Sequence, residues 1–516
     1  MEARFIDSVK GPLAPYVLEG KETKNHIRSS TLLLTGRILA LVINLGTQIL
    51  LVRYLSKTGY GAFAYAMAIV SMGSTVTVFG MEKSVGRFVA IYRERQEHPK
   101  VLGTIILMVG TILALGLVLI VLVISLQGWL YQRLVQDPEA MAMLVVLIAL
   151  SPIQALEAFF IGLLSSFAKS RAIFFRKHLL GPSLCFLAVL VLTLIGGGVH
   201  LIAAGYLISG MIGVVISTII LFRMLCQLGI LNRGALKKIE LPWREVYSFT
   251  TPLLASDLVF VLRTQFIVVM LEYFKSTAEV ADYRAVFPIA RSNMVVYQNF
   301  VILFVPLASR MFARDDHDGM NILYQKTAMW IAVISFPLFA ISSALSMPLI
   351  TILFGERYHE AAPVLMILSI GFYFSAALGF NGQTLRVISK VRYLFTSDLI
   401  TAILSIIISL VLIPRYGALG GAISFTSTLV IQNIFYQFGL IYTSEVGTFS
   451  VNQLKVYAII GLCWFGLLLL PDISISIMVT AVVSLLVVRL TRRSLDIERT
   501  FPELFRIPLM RRLFGN

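Results

Sequence analysis

Charged residues are scarce in this chain. They make up 14% of its 516 residues, whereas soluble globular domains carry about a quarter. Hydrophobic residues make up 58%, and so much apolar surface cannot be covered in water. The composition therefore excludes a soluble globular protein and indicates a protein whose solvent is lipid.

Cysteine and histidine are also rare. The three cysteines, Cys185, Cys226 and Cys463, form no CxxC pair, and the six histidines show no metal-ligand spacing. A disulfide scaffold and a metal site are therefore not expected. No cofactor is expected, while a coupling ion, H⁺ or Na⁺, stays open. The polar start of the chain lacks the short apolar core of a cleavable signal peptide.

Long apolar segments are abundant. Each is near the ~20 residues that a helix needs to cross a bilayer. About fourteen such spans are predicted, at residues 30–53, 60–81, 101–126, 141–167, 173–196, 199–222, 247–272, 280–305, 323–346, 361–387, 394–413, 417–442, 454–471 and 473–489. The loops between them are short, so no large external domain is expected.

The basic residues are distributed unequally between the two sides. Of the 43 Lys and Arg residues, 33 lie in loops on the side of the N-terminus, 6 in the opposite loops and 4 inside spans. Basic loops face the cytoplasm, so this asymmetry predicts a multi-pass protein of the cell membrane with both termini in the cytoplasm.

Weak internal similarity suggests two homologous halves. Three pairs of segments match in the same order, at shifts of 217 to 221 residues; their first members are Ala155–Arg171, Tyr54–Phe63 and Ala204-Gly205. Transporters are often built from repeats, although apolar helix pairs also resemble one another by composition alone. A repeat of six spans keeps its orientation, so it predicts an all-α fold of two six-helix lobes related by a pseudo-twofold axis along the membrane normal, plus two extra helices.

This repeat divides the chain into six regions. They are a cytoplasmic N-terminal tail (1–29), an N-terminal lobe (30–222), a cytoplasmic linker (223–246), a C-terminal lobe (247–442), two additional spans (454–489) and a basic cytoplasmic tail (490–516).

Polar residues recur on one face of three predicted spans. A charge at membrane depth costs a few kcal/mol or more unless it faces protein, water or a partner. The stripes are Arg37, Asn44 and Gln48 in the first span, Thr250, Asp257 and Thr264 beside Arg263 in the seventh, and Arg284, Arg291 and Gln298 in the eighth. Such stripes predict a polar cavity between the lobes.

Guanidinium groups suit this cavity to an anion, because they stay charged and grip phosphate oxygens in a fork. Asp257 would hold an arginine when substrate is absent, or bind a proton or sodium ion. Purely structural roles stay open as well. Arg37 and Arg284 lie near span ends, where their side chains can reach the interface, and Asn44, Gln48 and Gln298 can serve as interhelical hydrogen bonds.

Three segments carry a family resemblance. They are YLSKTGYGAFAYAMAI after the first span, LFGERYHEAAPVLMILSIGF with NGQTLRVISKVRY, and LIPRYGALGGAIS, joined by ADYRAVFPIAR in the eighth span. In these segments the chain resembles the polysaccharide-type (Wzx-like) flippases of the multidrug/oligosaccharidyl-lipid/polysaccharide exporter superfamily.

The resemblance implies a V-shaped pair of lobes around a cationic cavity. It implies a transporter, not an enzyme, that moves polyprenyl-diphosphate-linked oligosaccharide to the outer leaflet by alternating access. Arg37, Arg263 and Arg291, with Arg284, would meet the diphosphate. Partners would be the lipid-linked glycan, membrane lipids and the glycosyltransferases and polymerase of the pathway, with no nucleic acid. The alternatives are a lipid II-type or drug exporter of the same superfamily, or a membrane-embedded glycan polymerase or acyltransferase.

Overall fold

The described part of the chain is helical and contains no β-strand. The computed structural model describes residues 20–133, 135, 137–167, 169–231, 239–444, 446, 449–469, 479–480, 482–487 and 489–491. Most of the predicted N-terminal tail, part of the 223–246 linker, about half of the fourteenth span and nearly all of the 490–516 tail lie outside these residues.

The helices fall into two halves of the chain. The N-terminal half contains α1 Gly20–Tyr54, α2 Lys57–Val78, α3 Met81–Glu94, α4 His98–Ser125, α5 Gln127–Arg133, α6 Pro138–Leu147, α7 Leu150–Ser166, α8 Ser170–Ile173, α9 Gly181–Leu194 and α10 Val199–Gln227. The C-terminal half contains α11 Trp243–Phe274, α12 Thr277–Arg291, α13 Val295–Phe312, α14 His317–Ala344, α15 Ser346–Phe354, α16 Ala361–Ala377, α17 Asn381–Val387, α18 Val391–Ser444 and α19 Val451–Leu468. We call the side where α1 begins the N-terminal face, and the side where it ends the far face.

The prediction of an all-α polytopic membrane protein is confirmed. Among the described residues, eleven helices are long and apolar enough to cross a membrane, or twelve if the bent pair α6 and α7 is one span. One reason for the lower count is that α18 covers both the eleventh and the twelfth predicted spans. The pseudo-twofold axis and the total of fourteen spans stay predictions.

A turn at Gly417 divides α18. Its φ of 56° and ψ of −132° are not helical, and only glycine adopts such angles without strain. The next backbone N–H, of Ala418, donates to the Glu279 carboxylate of α12 at 2.6 Å. A carboxylate from the neighbouring helix thus binds the N–H that the broken helix leaves free.

The predicted span at 361–387 is confirmed as one apolar span, Ala361–Val387, but its helix is interrupted. The chain breaks between α16 and α17. The buried Asn381 begins the second helix, where its side-chain oxygen accepts from the N–H of Gly382 at 2.7 Å and its amide donates to Asn433 of α18 at 3.2 Å. Breaking the helix satisfies a polar side chain at membrane depth.

The largest buried cluster of apolar side chains contains residues from both halves of the chain. It forms where α2 packs against α11 and α12. Gly61 of α2 allows the closest approach, since a Cβ atom there would lie 1.8 Å from the carbonyl oxygen of Thr277. The halves are therefore closely packed on the far-face side.

A buried ion pair lies inside the N-terminal half. Arg176, in a π-helical segment (Phe174–Leu180), is 3% exposed and pairs with Glu157 of α7. Its Nε also donates to the Ser217 hydroxyl at 2.7 Å and the Gly213 carbonyl at 3.0 Å, both in α10. Counting Arg176 among the loop charges was therefore wrong, because three helices enclose it.

Candidate functional site

The first of two polar cavities has a volume of about 400 Å³. We call it the charged cavity. Five ionisable side chains line it: Lys83 from the N-terminal half, and Asp257, Arg263, Arg386 and Asp398 from the C-terminal half. Gln432 and Tyr436 of α18 complete its polar wall.

Arg263 is held in the charged cavity through an amide. Its Nη1 donates to the Gln432 side-chain oxygen at 2.5 Å, and the Gln432 amide in turn donates to Asp398. Tyr436 donates its hydroxyl to the same carboxylate. The Arg263 Nε makes no hydrogen bond within the described part of the chain. The guanidinium thus lines the cavity without an ion-pair partner among the described residues, while Asp398 supplies nearby negative charge.

Asp257 pairs with a cation from the other half of the chain. Its carboxylate forms an ion pair with the Lys83 ammonium of α3. The partner is thus a lysine near the end of a span, and not the arginine or ion predicted from the sequence. The side chain of Lys83 is 51% exposed and that of Asp257 is 18% exposed, so solvent screens the pair and an anionic ligand can compete for the ammonium.

The second cavity, of about 360 Å³, is mostly uncharged. We call it the amide cavity. Its polar lining consists of Gln48, Tyr60, Ser71, Gln154, Tyr206, Gln265 and Arg284, which come from both halves of the chain. None of these lining residues is a carboxylate, so Arg284 gives this cavity a positive charge.

Arg284 has one neutral partner in the amide cavity. Its Nη2 donates to the Gln265 side-chain oxygen, and the Gln265 amide lies 3.4 Å from the Ser71 hydroxyl. The Arg284 Nε is buried without a hydrogen bond to any described residue. No carboxylate in the described part of the chain forms an ion pair with it.

The predicted site residues are thus divided between two cavities. Arg263 and Asp257 line the charged cavity, whereas Gln48 and Arg284 line the amide cavity. The other four line neither of them: Arg37, Asn44 and Arg291 are exposed and Gln298 is half-buried. The stripe in the eighth span is interrupted because a 3₁₀ turn, Ser292–Met294, follows Arg291 and changes the face on which later residues lie.

Several lining residues were missed by the sequence analysis. Lys83 and Arg386 were taken as topology signals because they lie near span ends. Asp398 could have been found, since it is an acid inside an apolar span. Gln154, Gln265 and Tyr206 carry no sequence signal, because only packing shows which neutral side chains face the cavity.

Polar contacts join the two halves at the far face. The Lys57 ammonium lies 2.8 Å from Asp282 and 3.2 Å from Glu360, both in the C-terminal half. It also lies 5.7 Å from the ring centre of Tyr358. Burial raises the pKa of the Tyr358 hydroxyl, so the ring stays neutral beneath the cation. Three of the segments that carry the family resemblance thus meet here.

Thr277 adds a further link at this face. Its hydroxyl donates to Asp137 of the N-terminal half at 2.8 Å. On the opposite side of the protein, Tyr92 of α3 donates to Glu245 of α11 at 2.7 Å.

In this conformation α11 packs against both α2 and α18, so it lies between the two halves and lines both cavities.

Comparison with known proteins gives a family match and two partial relatives. The family described as polysaccharide biosynthesis protein matches residues 26–312. Membrane protein MJ1068 of Methanocaldococcus jannaschii is 28% identical over 165 residues, which are 30% of this chain and 31% of that protein. Capsular polysaccharide biosynthesis protein CapF of Staphylococcus aureus is 24% identical over 196 residues, 38% of this chain and 50% of that protein. The matched regions thus span half or less of these relatives.

Solved structures share the fold over most of the chain. The lipid II flippase MurJ in an inward closed conformation superposes with a TM-score of 0.68 at 15% identity, covering 90% of this chain and 99% of MurJ. An inward-facing multidrug transporter of the MATE family gives a TM-score of 0.63 at 14% identity, covering 79% of this chain and 95% of the other. At these identities the similarity establishes the fold alone.

Proposed function

The chain belongs to the polysaccharide biosynthesis protein family, and we propose that it is a flippase for polyprenyl-diphosphate-linked oligosaccharide. It would move this lipid from the cytoplasmic to the outer leaflet of the cell membrane for cell-surface polysaccharide assembly. A diphosphate cannot cross hydrocarbon unaided, so the protein has to supply a polar path. The family match and the MurJ-like fold support this class of function.

The charged cavity is the observation that carries the proposal. Arg263, Lys83 and Arg386 line the same space, and Arg263 forms no ion pair with a described residue. A guanidinium binds phosphate oxygens in a charge-assisted fork. We assign the diphosphate to these three cations.

Two carboxylates in the same cavity balance the charge of its cations when no substrate is bound. Asp257 pairs with Lys83. Gln432 accepts a hydrogen bond from Arg263 and donates one to Asp398. Buried or half-buried cations without counter-charge are costly. In our proposal the diphosphate replaces these internal partners when it binds, and the carboxylates recover the cations when it leaves.

The contacts at the far face would act as the closed gate in this cycle. Lys57 binds two carboxylates of the other half there, and Gly61 permits close packing beside them. Alternating access requires that these contacts break when the far face opens. In our proposal both termini are cytoplasmic, so the far face is the outer side and is closed in the present conformation. The coupling ion, H⁺ or Na⁺, stays open.

A drug or cation exporter of the same superfamily is the second candidate. Asp257 and Asp398 favour it, because carboxylates that face a cavity bind cations. Tetraphenylphosphonium is a suitable probe for this activity. A cation exporter would bind it and would ignore farnesyl diphosphate, whereas the proposed flippase would do the reverse.

The third candidate is a membrane enzyme such as a glycan polymerase or acyltransferase. An enzyme would change the lipid-linked substrate covalently, whereas a flippase changes only its leaflet. Mass spectrometry of the lipid after incubation with purified protein distinguishes these outcomes.

Binding of a short prenyl diphosphate tests the assignment. Purified protein in lipid nanodiscs is titrated with farnesyl diphosphate and with farnesol. We expect saturable binding of the diphosphate only, and at least roughly tenfold weaker binding for Arg263→Gln, because hydrogen bonds to charged groups are strong. Arg310→Gln, an exposed arginine outside both cavities, is the matched control. Equal binding by wild type and Arg263→Gln would remove the assignment.

A further inference from the structure

The amide cavity has a chemistry unlike that of the charged cavity. Three glutamine amides, two tyrosine hydroxyls and a serine hydroxyl line it, together with aromatic and apolar side chains. Amides and hydroxyls can donate and accept, and ring faces cover apolar surfaces. This is the lining that a ligand rich in hydroxyl groups requires. A diphosphate would need more positive charge than one guanidinium.

The positions of the two cavities follow the order of groups in the proposed substrate. Along α11, Gln265 of the amide cavity lies two residues beyond Arg263 of the charged cavity and eight residues beyond Asp257, towards the far face, which is about 3 Å and about 12 Å of helix. In a lipid-linked glycan the diphosphate stands between the lipid and the first sugar. With the diphosphate at Arg263, the distance along the helix axis to the amide cavity is one that the first sugar can span.

Arg284 adds a specific requirement to this cavity. It is a cation whose Nε has no hydrogen-bond partner and whose charge has no ion-pair partner among the described residues. Its one side-chain bond goes to the neutral Gln265. A guanidinium that lines a cavity of about 360 Å³ without a counter-charge favours a ligand with negative charge.

We propose that the amide cavity binds the sugar next to the diphosphate, and that Arg284 selects a sugar that carries a carboxylate. This inference rests on the proposed function, because it takes the diphosphate to lie in the charged cavity. Gln265 is a positioning residue, since it accepts a hydrogen bond from the Arg284 Nη2 and holds the guanidinium at the cavity wall. Gln154 and Tyr206, on the N-terminal half, supply neutral contacts to the same sugar.

A matched pair of ligands tests the proposal. Farnesyl-diphosphate-linked glucose and farnesyl-diphosphate-linked glucuronic acid differ only at the sixth carbon, which is a hydroxymethyl group in one and a carboxylate in the other. Each is titrated into wild-type protein in nanodiscs, beside unsubstituted farnesyl diphosphate. We expect the glucuronic acid form to bind at least roughly tenfold more tightly than the glucose form, the gain typical of one charge-assisted bond.

Substitutions at Arg284 and Arg263 then show which cavity produces the difference in affinity between the two sugars. Arg284→Gln should remove the difference between the two sugars and leave farnesyl diphosphate binding unchanged, while Arg284→Lys should retain part of the difference. Arg263→Gln should weaken both ligands alike. Thermal unfolding of each variant, and farnesyl diphosphate binding by the two Arg284 variants, show that the protein is folded.

The possible failures are distinguishable. Equal affinity of wild type for the two sugars, or a difference that survives Arg284→Gln, overturns the assignment of Arg284. A difference that disappears in Arg263→Gln instead places the carboxylate in the charged cavity and also overturns it. If farnesyl diphosphate itself does not bind, the proposed function fails as well.

Discussion

Arg53 and Arg357 cap each other's helices across the boundary between the two halves. Arg53, near the end of α1, donates from Nε to the Leu353 carbonyl at 2.8 Å and from Nη2 to the Ile352 carbonyl, both at the end of α15. Arg357, just after α15, donates to the carbonyls of Arg53 and Val52, the first at 2.7 Å. The last carbonyls of a helix lack partners and carry partial negative charge. Arg357 thus stabilises the end of α1, and Arg53 stabilises the end of α15. These bonds join the two halves, so they exist only while the far face is closed.

Removing one member of this pair should open the far face. Arg357→Ala loses two charge-assisted bonds, each worth about 1.5–3 kcal/mol, so the ratio of closed to open molecules should fall roughly tenfold or more. Spin labels at exposed positions His200 and Lys275, one on each half near the far face, report the opening. The natural cysteines Cys185, Cys226 and Cys463 are replaced first. Electron–electron distance measurements should show a longer component in the variant.

Arg415→Ala is the control for this experiment. Arg415 is also an exposed arginine on a far-face turn, and the structure records no hydrogen bond or ion pair between its side chain and a described residue. Its variant should give the wild-type distance distribution. An unchanged distribution in Arg357→Ala would mean that the reciprocal capping does not hold this face closed.

Gly61 should be intolerant of even a methyl group. A Cβ atom there would lie 1.8 Å from the Thr277 carbonyl oxygen, so Gly61→Ala has to separate α2 from α12. We expect a loss of thermal stability of about 1–3 kcal/mol, or a shift to the open far face in the spin-label assay. Gly110→Ala, where nothing lies within 4 Å of the added atom, should have neither effect. A wild-type result for Gly61→Ala would show that the halves can separate locally without cost.

Asp398→Asn separates the two leading functions. For an anion substrate, Asp398 competes for the cations of the charged cavity, so its neutralisation should tighten farnesyl diphosphate binding, by roughly tenfold. For a cation exporter, the same change should weaken binding of tetraphenylphosphonium. Titration of both probes shows whether the substitution strengthens or weakens the binding of each one. Weaker farnesyl diphosphate binding in the variant would contradict the role of Asp398 as an internal competitor.

The Glu157–Arg176 pair should contribute strongly to the stability of the N-terminal half. Arg176→Leu leaves a carboxylate without its partner in a largely enclosed site, which costs about 3–5 kcal/mol. The double variant Glu157→Leu/Arg176→Leu should recover much of this loss. Thermal unfolding in detergent measures both. If the double variant is as unstable as the single one, the cost lies in the packing of the π-helical segment and not in the unpaired charge.

The sequence predicted the architecture better than the site. Apolar span lengths located most helices correctly, because the bilayer imposes a common length on them. The breaks at Gly417 and before Asn381 depended on partners from other helices, Glu279 and Asn433. Such tertiary contacts cannot be predicted from the sequence of a single helix.

The site was predicted in part for a similar reason. Arginines inside apolar spans are conspicuous, and two of the four, Arg263 and Arg284, line the cavities; their role in binding stays a prediction. The seven-residue spacing of Arg284, Arg291 and Gln298 did not put them on one face, because a 3₁₀ turn after Arg291 changes the helix face. The rule that basic loop residues indicate topology hid Lys83 and Arg386, which line the charged cavity. The neutral residues of the amide cavity had no signal, because a glutamine can equally join two helices.

Translocation in proteoliposomes tests the central claim most directly. Protein is reconstituted with a fluorescently labelled farnesyl-diphosphate-linked sugar, and dithionite, which does not cross the membrane, bleaches the label on the outer leaflet. Wild-type protein should make nearly all of the label accessible, whereas Arg263→Gln vesicles should lose only the outer-leaflet share, as protein-free vesicles do. If Arg263→Gln moves the lipid as fast as wild type, or if wild type does not move it, the charged cavity is not the path of a lipid-linked glycan.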